Sequence, residues 1–352
     1  MRPVAAASAA LIAWTLLPGC AARTPAGRQS LATPSRCDRP PPSRLAYGWP
    51  VRPFDRQHPI RGNFGDPRTI SESPRLGSDT SLSAGSYSFH NGIDIAAPAG
   101  TPVYPVVSGI VSIRSSDELV VATADGRLFQ YWHLLTQVHT GEHVVARQTI
   151  LGRIRPEADH VHLTEIDGFR VHNPVDPGHL EPYRDHTPPE VVTLDFDDST
   201  GATLAPQALH GRVLIGAVAR DTPPLPVPGA WLGYPVTPAL VAWKLDANGD
   251  KTVVPWTTVA DFRQTEPPTS DFWRVYADGT YQNFPVFADR YFWRQSGRYV
   301  FDLTPQALDT TRLKNGAYTV TVAVADVCGN QSTLRTRVRV ENPVASAASG
   351  HG

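Results

Sequence analysis

His90-Asn91-Gly92-Ile93-Asp94 and, further along, His160-Val161-His162 are the stretches from which the rest of this chain is read. With 12 His in 352 residues, a His-x-His arises by chance in roughly every second or third chain, so the spacing needs its context. In a β-strand, residues i and i+2 point to the same face. If Val161-His162-Leu163 is a strand, His160 and His162 aim at one site. Ile93-Asp94-Ile95 alternates apolar and polar, which places the Asp94 carboxylate on one face of another strand. His90 then lies in the turn that leads into that strand, loosened by Asn91-Gly92. Two or more imidazoles and one carboxylate form the ligand set of a catalytic zinc, whose fourth position is left to water. His133 lies in the aromatic run Phe129-Gln130-Tyr131-Trp132-His133-Leu134-Leu135, which reads as a strand near a core. His58, His139, His143, His172, His179, His186 and His210 have no partner motif and read as ordinary core or surface histidines.

The segment Phe89-His90-Asn91-Gly92-Ile93-Asp94-Ile95-Ala96-Ala97-Pro98-Ala99-Gly100-Thr101-Pro102-Val103 resembles the centre of the LytM/lysostaphin-type zinc metallopeptidases, peptidase family M23. Gly62-Asn63-Phe64-Gly65-Asp66-Pro67-Arg68 upstream resembles the family's Phe-Gly-x-Arg motif. Gly109-Ile110-Val111, Tyr131-Trp132-His133-Leu134, Gly141-Glu142-His143-Val144, Ile150-Leu151-Gly152, His160-Val161-His162 and Asn173-Pro174 follow in order. The resemblance spans about residues 54–182. It implies zinc ligands at His90, Asp94 and His162 and catalytic histidines at His133 and His160. The chain departs from the family pattern at Asp159, at Leu163-Thr164-Glu165 and in a long Ser-rich loop over 69–88. No implied ligand or catalytic histidine is missing, unlike in relatives that have lost ligands and activate other enzymes.

The N-terminus reads as an export signal. Arg2 precedes an apolar run over 4–17, too short to span a bilayer comfortably. Leu17-Pro18-Gly19-Cys20 resembles a bacterial lipobox, which implies lipidation of Cys20; the alternative is ordinary cleavage near Ala21 or Ala22. Either way the chain is expected to be exported, and if the cell is Gram-negative, Ala21 after the cysteine implies an outer-membrane destination facing the periplasm. Cys37 and Cys328 remain as an even pair in an oxidising compartment. They form either one disulfide or two separate thiols. Lys plus Arg number 32 against 33 Asp plus Glu, so no basic stripe recruits nucleic acid.

The expected fold is all-β, an M23-type antiparallel sheet followed by an immunoglobulin-like or fibronectin-III-like β-sandwich. The expected organisation is a signal peptide over 1–19, a lipidated Pro-rich tether over 20–53 and a peptidase domain over 54–184. The sandwich then covers 187–342, and a disordered tail 343–352. Runs of β-branched and aromatic residues over 103–107, 110–113, 119–123 and 128–135 read as strands, with Asp125-Gly126 as a hairpin turn. Strands are also expected over 191–196, 212–218, 240–245, 299–303, 318–326 and 333–340. The ending Gly316-Ala317-Tyr318 to Asp326-Val327-Cys328-Gly329-Asn330 resembles the last hairpin of such modules. The aromatics over 256–294 read as core or interdomain packing in preference to a carbohydrate-stacking surface. No stretch has helical periodicity.

The function implied is an exported zinc endopeptidase that cleaves peptide cross-links of peptidoglycan. Its partners are the peptidoglycan peptide stems and, through the lipid anchor, a membrane, with no nucleic acid. The alternative is a catalytically silent or autoinhibited wall-binding regulator, or an amidase activator that uses the same groove.

Overall fold

The computed structural model describes residues 35–38, 40, 43–69, 87–248, 251–283 and 295–343. The leader over 1–19, Cys20, the first part of the tether, almost all of the 69–88 loop and the tail after 343 lie outside the described residues. So do Phe284, Phe287, Tyr291, Phe292 and Trp293.

The first half holds β1 (Ile60–Gly62), β2 (Pro67–Arg68), β3 (Ser88–Phe89), β4 (Ile93–Ala96), β5 (Pro102–Val103), β6 (Gly109–Ile113), β7 (Glu118–Thr123), β8 (Arg127–Trp132), β9 (Leu134–Thr136), β10 (His143–Val144), β11 (Gly152–Ile154), β12 (His160–Asp167) and β13 (Arg170–His172). The second half holds β14 (Glu190–Asp198), β15 (Arg212–Arg220), β16 (Leu240–Ala247), β17 (Lys251–Asp261), β18 (Val300–Asp302), β19 (Leu308–Asp309), β20 (Gly316–Ala325) and β21 (Gln331–Val340). Among the described residues the only α-helix is α1 (Phe272–Val275), one turn long. The fold is all-β.

The main sheet runs β1-β4-β12-β8-β7-β6-β10, with β13 hairpinned onto β12. Its strand pairs among the described residues are antiparallel, and alternate residues of β8 are buried, as a one-sided sheet requires. β12 is different. His160 through Glu165 are all buried, because both faces are covered. A three-stranded sheet, β5-β11-β9, packs alongside, and β2 pairs with β3.

The run over 128–135 is not one strand. β8 belongs to the main sheet and β9 to the three-stranded sheet, and the chain changes sheets at His133, where φ is 69°. The run over 103–107 is likewise shorter than expected, ending as a strand at Val103.

The second half forms two four-stranded sheets, β14-β15-β18 with β19 on β15, and β17-β16-β20-β21. β17 was not legible in the sequence, because Pro255 sits inside it. It pairs only with β16, and the register shifts between Trp243 and Leu245, opposite Pro255. An edge strand tolerates a proline that would break a central ladder. Cys37 and Cys328 form a disulfide that closes a sequence separation of 291 residues. It ties the segment before the main sheet to the turn between β20 and β21.

The two halves share one hydrophobic core. Phe89 on β3 packs against Phe262, Phe272 and Tyr276, with ring centroids 5.5, 5.3 and 5.9 Å away. Burying a side chain of this size contributes about 1.5–3 kcal/mol. Phe262, Phe272 and Tyr276 therefore pack an interface, as expected, while Trp256 and Trp273 stay 52% and 43% exposed.

Candidate metal centre

Register assembles the site. In the main sheet Gly62 of β1 lies opposite Asp94 of β4, Asp94 opposite His162 of β12, and His162 opposite Trp132 of β8. Residues directly opposite share a face, so a row across four strands carries the carboxylate and one imidazole. His90 enters from the loop before β4. Its backbone N–H donates to Asp66 O at 2.8 Å and its carbonyl accepts from Gly65 N at 2.9 Å, so the Asn63–Asp66 turn fixes it. Gly92 lets this loop lie flat on β12. A Cβ there would stand 2.3 Å from Leu163 O and 2.8 Å from His162 Nε2.

His90, Asp94 and His162 converge. His90 Nε2 is 2.8 Å from His162 Nδ1, and both lie 3.1 Å from Asp94 Oδ1. The outer nitrogens of both rings are engaged. His90 Nδ1 donates to Asn63 O at 2.8 Å, so Nε2 carries the lone pair. His162 Nε2 lies 2.7 Å from Thr164 Oγ1. That hydroxyl can accept the Nε2–H and leave Nδ1 as the inward lone pair.

Two imidazoles and a carboxylate suit zinc. A tetrahedral site with bonds of ~2.0–2.1 Å has edges of about 3.3 Å, so shifts of a few tenths of an ångström admit the ion. Without a cation, two lone pairs and an anion face one another in a buried pocket, which is unfavourable. The donor set fits the metal.

The electrostatics agree. Burial acts to raise the Asp94 carboxyl, but His90, His160 and Arg68 outweigh it and hold the group well below the usual range. Arg68 reaches Asp94 Oδ2 at 3.0 Å. Burial, then Arg68, lowers His90 to about 3, so it stays neutral at physiological pH.

His133 and His160 stand beside this group, their ring centroids 4.4 Å apart. His160 Nδ1 donates to Ala158 O at 2.7 Å, so its Nε2 bears the lone pair, 3.5 Å from Asp94 Oδ1. The His133 ring makes no hydrogen bond among the described residues, its Nδ1 standing 3.9 Å from Asp117 Oδ2, and burial lowers it to about 4. The structure thus gathers all five residues read from the sequence.

Residues 88–177 match the model of Peptidase family M23. The chain is 31% identical to a catalytic-domain variant of the prophage-encoded M23 protein EnpA from Enterococcus faecalis, over 23% of this chain and 69% of that one, with a TM-score of 0.21. The chain belongs to peptidase family M23. It is also similar to LytU, at 23% identity over 34% of this chain and 84% of that one, with a TM-score of 0.26. A further likeness is to the SpoIIQ–SpoIIIAH pore-forming complex, at 22% identity over 39% and 93%, with a TM-score of 0.29. No curated protein matches the chain.

This M23 site includes residues that motif reading missed. Thr164 is one, and its position two residues after His162 on the same strand face was a usable signal. Arg61 is another. Its Nη2 donates to His160 Nε2 at 3.1 Å and its Nη1 to Ala158 O at 3.3 Å. Trp231, from the second half, covers the guanidinium at 4.2 Å from the ring centroid. Nothing in the sequence pairs positions 61 and 231. The departures from the family pattern are structural here. Asp159 adopts φ 51° and accepts from Ala99 N at 3.2 Å. Glu165, 1% exposed, binds Tyr47, His179 and Arg127 at 2.6, 2.8 and 3.0 Å.

Proposed function

We propose that this M23 chain is an exported zinc metalloendopeptidase that cleaves peptide cross-links of peptidoglycan. The observation that carries the reading is the convergence of His90 Nε2, His162 Nδ1 and Asp94 Oδ1, within 2.8–3.1 Å of one another and beside two histidines that are not part of the set. When bound, zinc supplies a Lewis acid that polarises a peptide carbonyl and brings a water within reach of deprotonation near pH ~7.

The side chains divide the remaining work. Because its Nδ1–H is spent on Ala158 O, His160 carries its lone pair at Nε2, where it accepts from Arg61 Nη2 until a substrate displaces that bond. It accepts the proton from water. His133, whose ring makes no hydrogen bond among the described residues, donates an N–H to the carbonyl oxygen as charge grows there. Arg68 and the Asn63 carbonyl hold Asp94 and His90 in place, which lowers the reorganisation needed during the reaction.

The leader over 1–19 exports the chain, and lipidated Cys20 anchors it through the Pro-rich tether to the outer membrane, facing the periplasm. Peptidoglycan stems lie within that reach.

The test is digestion of purified peptidoglycan by the full exported chain, with and without chelator, with the released muropeptides identified by mass spectrometry. Loss of cross-linked dimers is expected, abolished by chelator and by His162→Ala. Dimers that persist with zinc-loaded protein overturn the assignment.

A further inference from the structure

Arg61 is a buried cation without an anion of its own. It stands on β1, next to the Gly62 that faces Asp94, and its side chain is 14% exposed. Of the five N–H groups of a guanidinium, hydrogen bonds among the described residues engage one on Nη1 and one on Nη2, and both acceptors are neutral: the Ala158 carbonyl and the His160 imidazole. The Nε atom is buried with no partner, 4.0 Å from Asp94 Oδ2. Asp94 answers this charge only in part. Its Oδ2 is taken by Arg68 at 3.0 Å, and its Oδ1 belongs to the metal-ligand set.

A divalent ion at that set adds positive charge on the same side. Holding a guanidinium there with only a share of one carboxylate, already paired with Arg68, is costly. Trp231 nevertheless keeps it in place, with its ring over the guanidinium, from the 3-10 turn Gly229–Trp231 of the second half. A planar fork held this way matches a carboxylate, which it can bind through two parallel N–H groups.

Resting on the peptidase reading above, we infer that Arg61, positioned by Trp231, is the receptor for a carboxylate on the substrate. The chain then selects peptides that carry a free carboxylate within about two residues of the scissile bond, over uncharged glycine bridges. The distance follows from geometry. Arg61 Nη2 touches His160 Nε2, which stands 3.5 Å from the metal-ligand oxygen of Asp94, and one extended residue spans ~3.3–3.6 Å. Binding also has a consequence for the base. A carboxylate draws the Nη2–H away from His160 and leaves the Nε2 lone pair free to take a proton. Trp231 is a positioning residue in this scheme, and it makes the M23 half dependent on the second half.

The experiment uses the zinc-loaded full chain and two synthetic cross-link peptides, identical except for a carboxylate or a carboxamide beside the scissile bond. Wild type is expected to favour the acid by roughly 10- to 100-fold in kcat/KM, the range of a charge-assisted hydrogen-bond pair. Arg61→Gln collapses that ratio towards unity, mainly through a higher KM for the acid peptide. Arg61→Lys keeps part of it, and Trp231→Ala moves it in the same direction as Arg61→Gln. Zinc per chain is measured for each variant to exclude misfolding. Equal kcat/KM for the two peptides with wild type overturns the inference and leaves the peptidase reading intact. Equal loss on both peptides in Arg61→Gln, with zinc retained, also overturns it. If neither peptide is cut, the peptidase reading fails, and calorimetric binding decides the inference. Tighter binding of the acid by wild type, lost in Arg61→Gln, supports it, and equal binding refutes it.

Discussion

Asp94 sits between two histidines and Arg68, whereas Asp185, Asp221 and Asp326 gather with no ion-pair partner among the described residues. Both groups bring three potential ligand atoms within 4.8 Å, and all six residues are buried. Proximity is therefore not what distinguishes them. At the first group, neighbours settle which atoms face inward, and surrounding positive charge holds Asp94 ionised. At the second, burial pushes Asp185 up to about 7 and Asp326 to about 6, and burial with repulsion from the other two pushes Asp221 well above the carboxylate range. Their hydrogen bonds come from nearby N–H groups, Thr187 N to Asp185, Thr222 N to Asp221 and Asn330 to Asp326. The first has the inward lone pairs and ionised carboxylate that suit a cation. The second is a set of acids that burial keeps protonated to a higher pH than usual, packed at the junction of the two halves.

The largest expected effect separates the two by metal content. Asp94→Ala removes one of three ligands and leaves Arg68 beside the vacated position, so zinc falls from about one per chain to near zero. Asp221→Asn leaves zinc unchanged. Elemental analysis of both purified variants checks this, and retained zinc in Asp94→Ala breaks the comparison.

The next effect is on stability against pH. A carboxyl whose folded pKa is raised keeps its proton in the native state while the unfolded chain gives it up near pH ~4. Between there and about 6–7 the native state binds more protons, so this group makes stability fall as pH rises. His90 works in the opposite sense. Held neutral down to about 3, it makes stability fall as pH drops below ~6.5, where the unfolded histidine charges. Melting temperatures from pH 4 to 8, recorded on metal-free protein, should therefore show a shallower upper decline in Asp221→Asn, with Asp185 and Asp326 still contributing, and keep the lower one. A wild-type profile flat above pH 5 contradicts the neutral-acid reading. A rise in melting temperature on adding calcium would instead make the second cluster a cation site.

The same contrast explains what was legible from the sequence. His90, Asp94, His160 and His162 were readable because strand alternation and short spacing fix their faces locally, and β4 and β12 formed where expected. His133 was found as a residue, but its backbone was not, since a change of sheet depends on partners distant in sequence. β17 was hidden by Pro255, whose tolerance depends on being at an edge. Arg61 over Trp231 and the Asp185–Asp221–Asp326 group join positions more than a hundred residues apart within one pair or more, and no local pattern encodes such contacts. The chemistry that one strand can carry was visible, and the chemistry made by packing the two halves was not.

The smallest expected effect is also the most specific test of why the first group differs. Thr164 is fully buried, and its hydroxyl is 2.7 Å from His162 Nε2. Thr164→Val keeps the shape and removes the acceptor. With no oxygen to receive Nε2–H, the imidazole favours the tautomer protonated at Nδ1, the nitrogen that faces His90 and Asp94. Metal binding must then displace that proton and leave a buried N–H unpaired. Losing an outer partner of this kind costs about 10- to 100-fold in metal affinity. Zinc affinity by chelator competition should fall by that factor, while the metal-free protein loses only ~1 kcal/mol of stability. If affinity is unchanged, the orientation of His162 comes from the β4–β12 register alone, and the contrast between the two groups reduces to their charge.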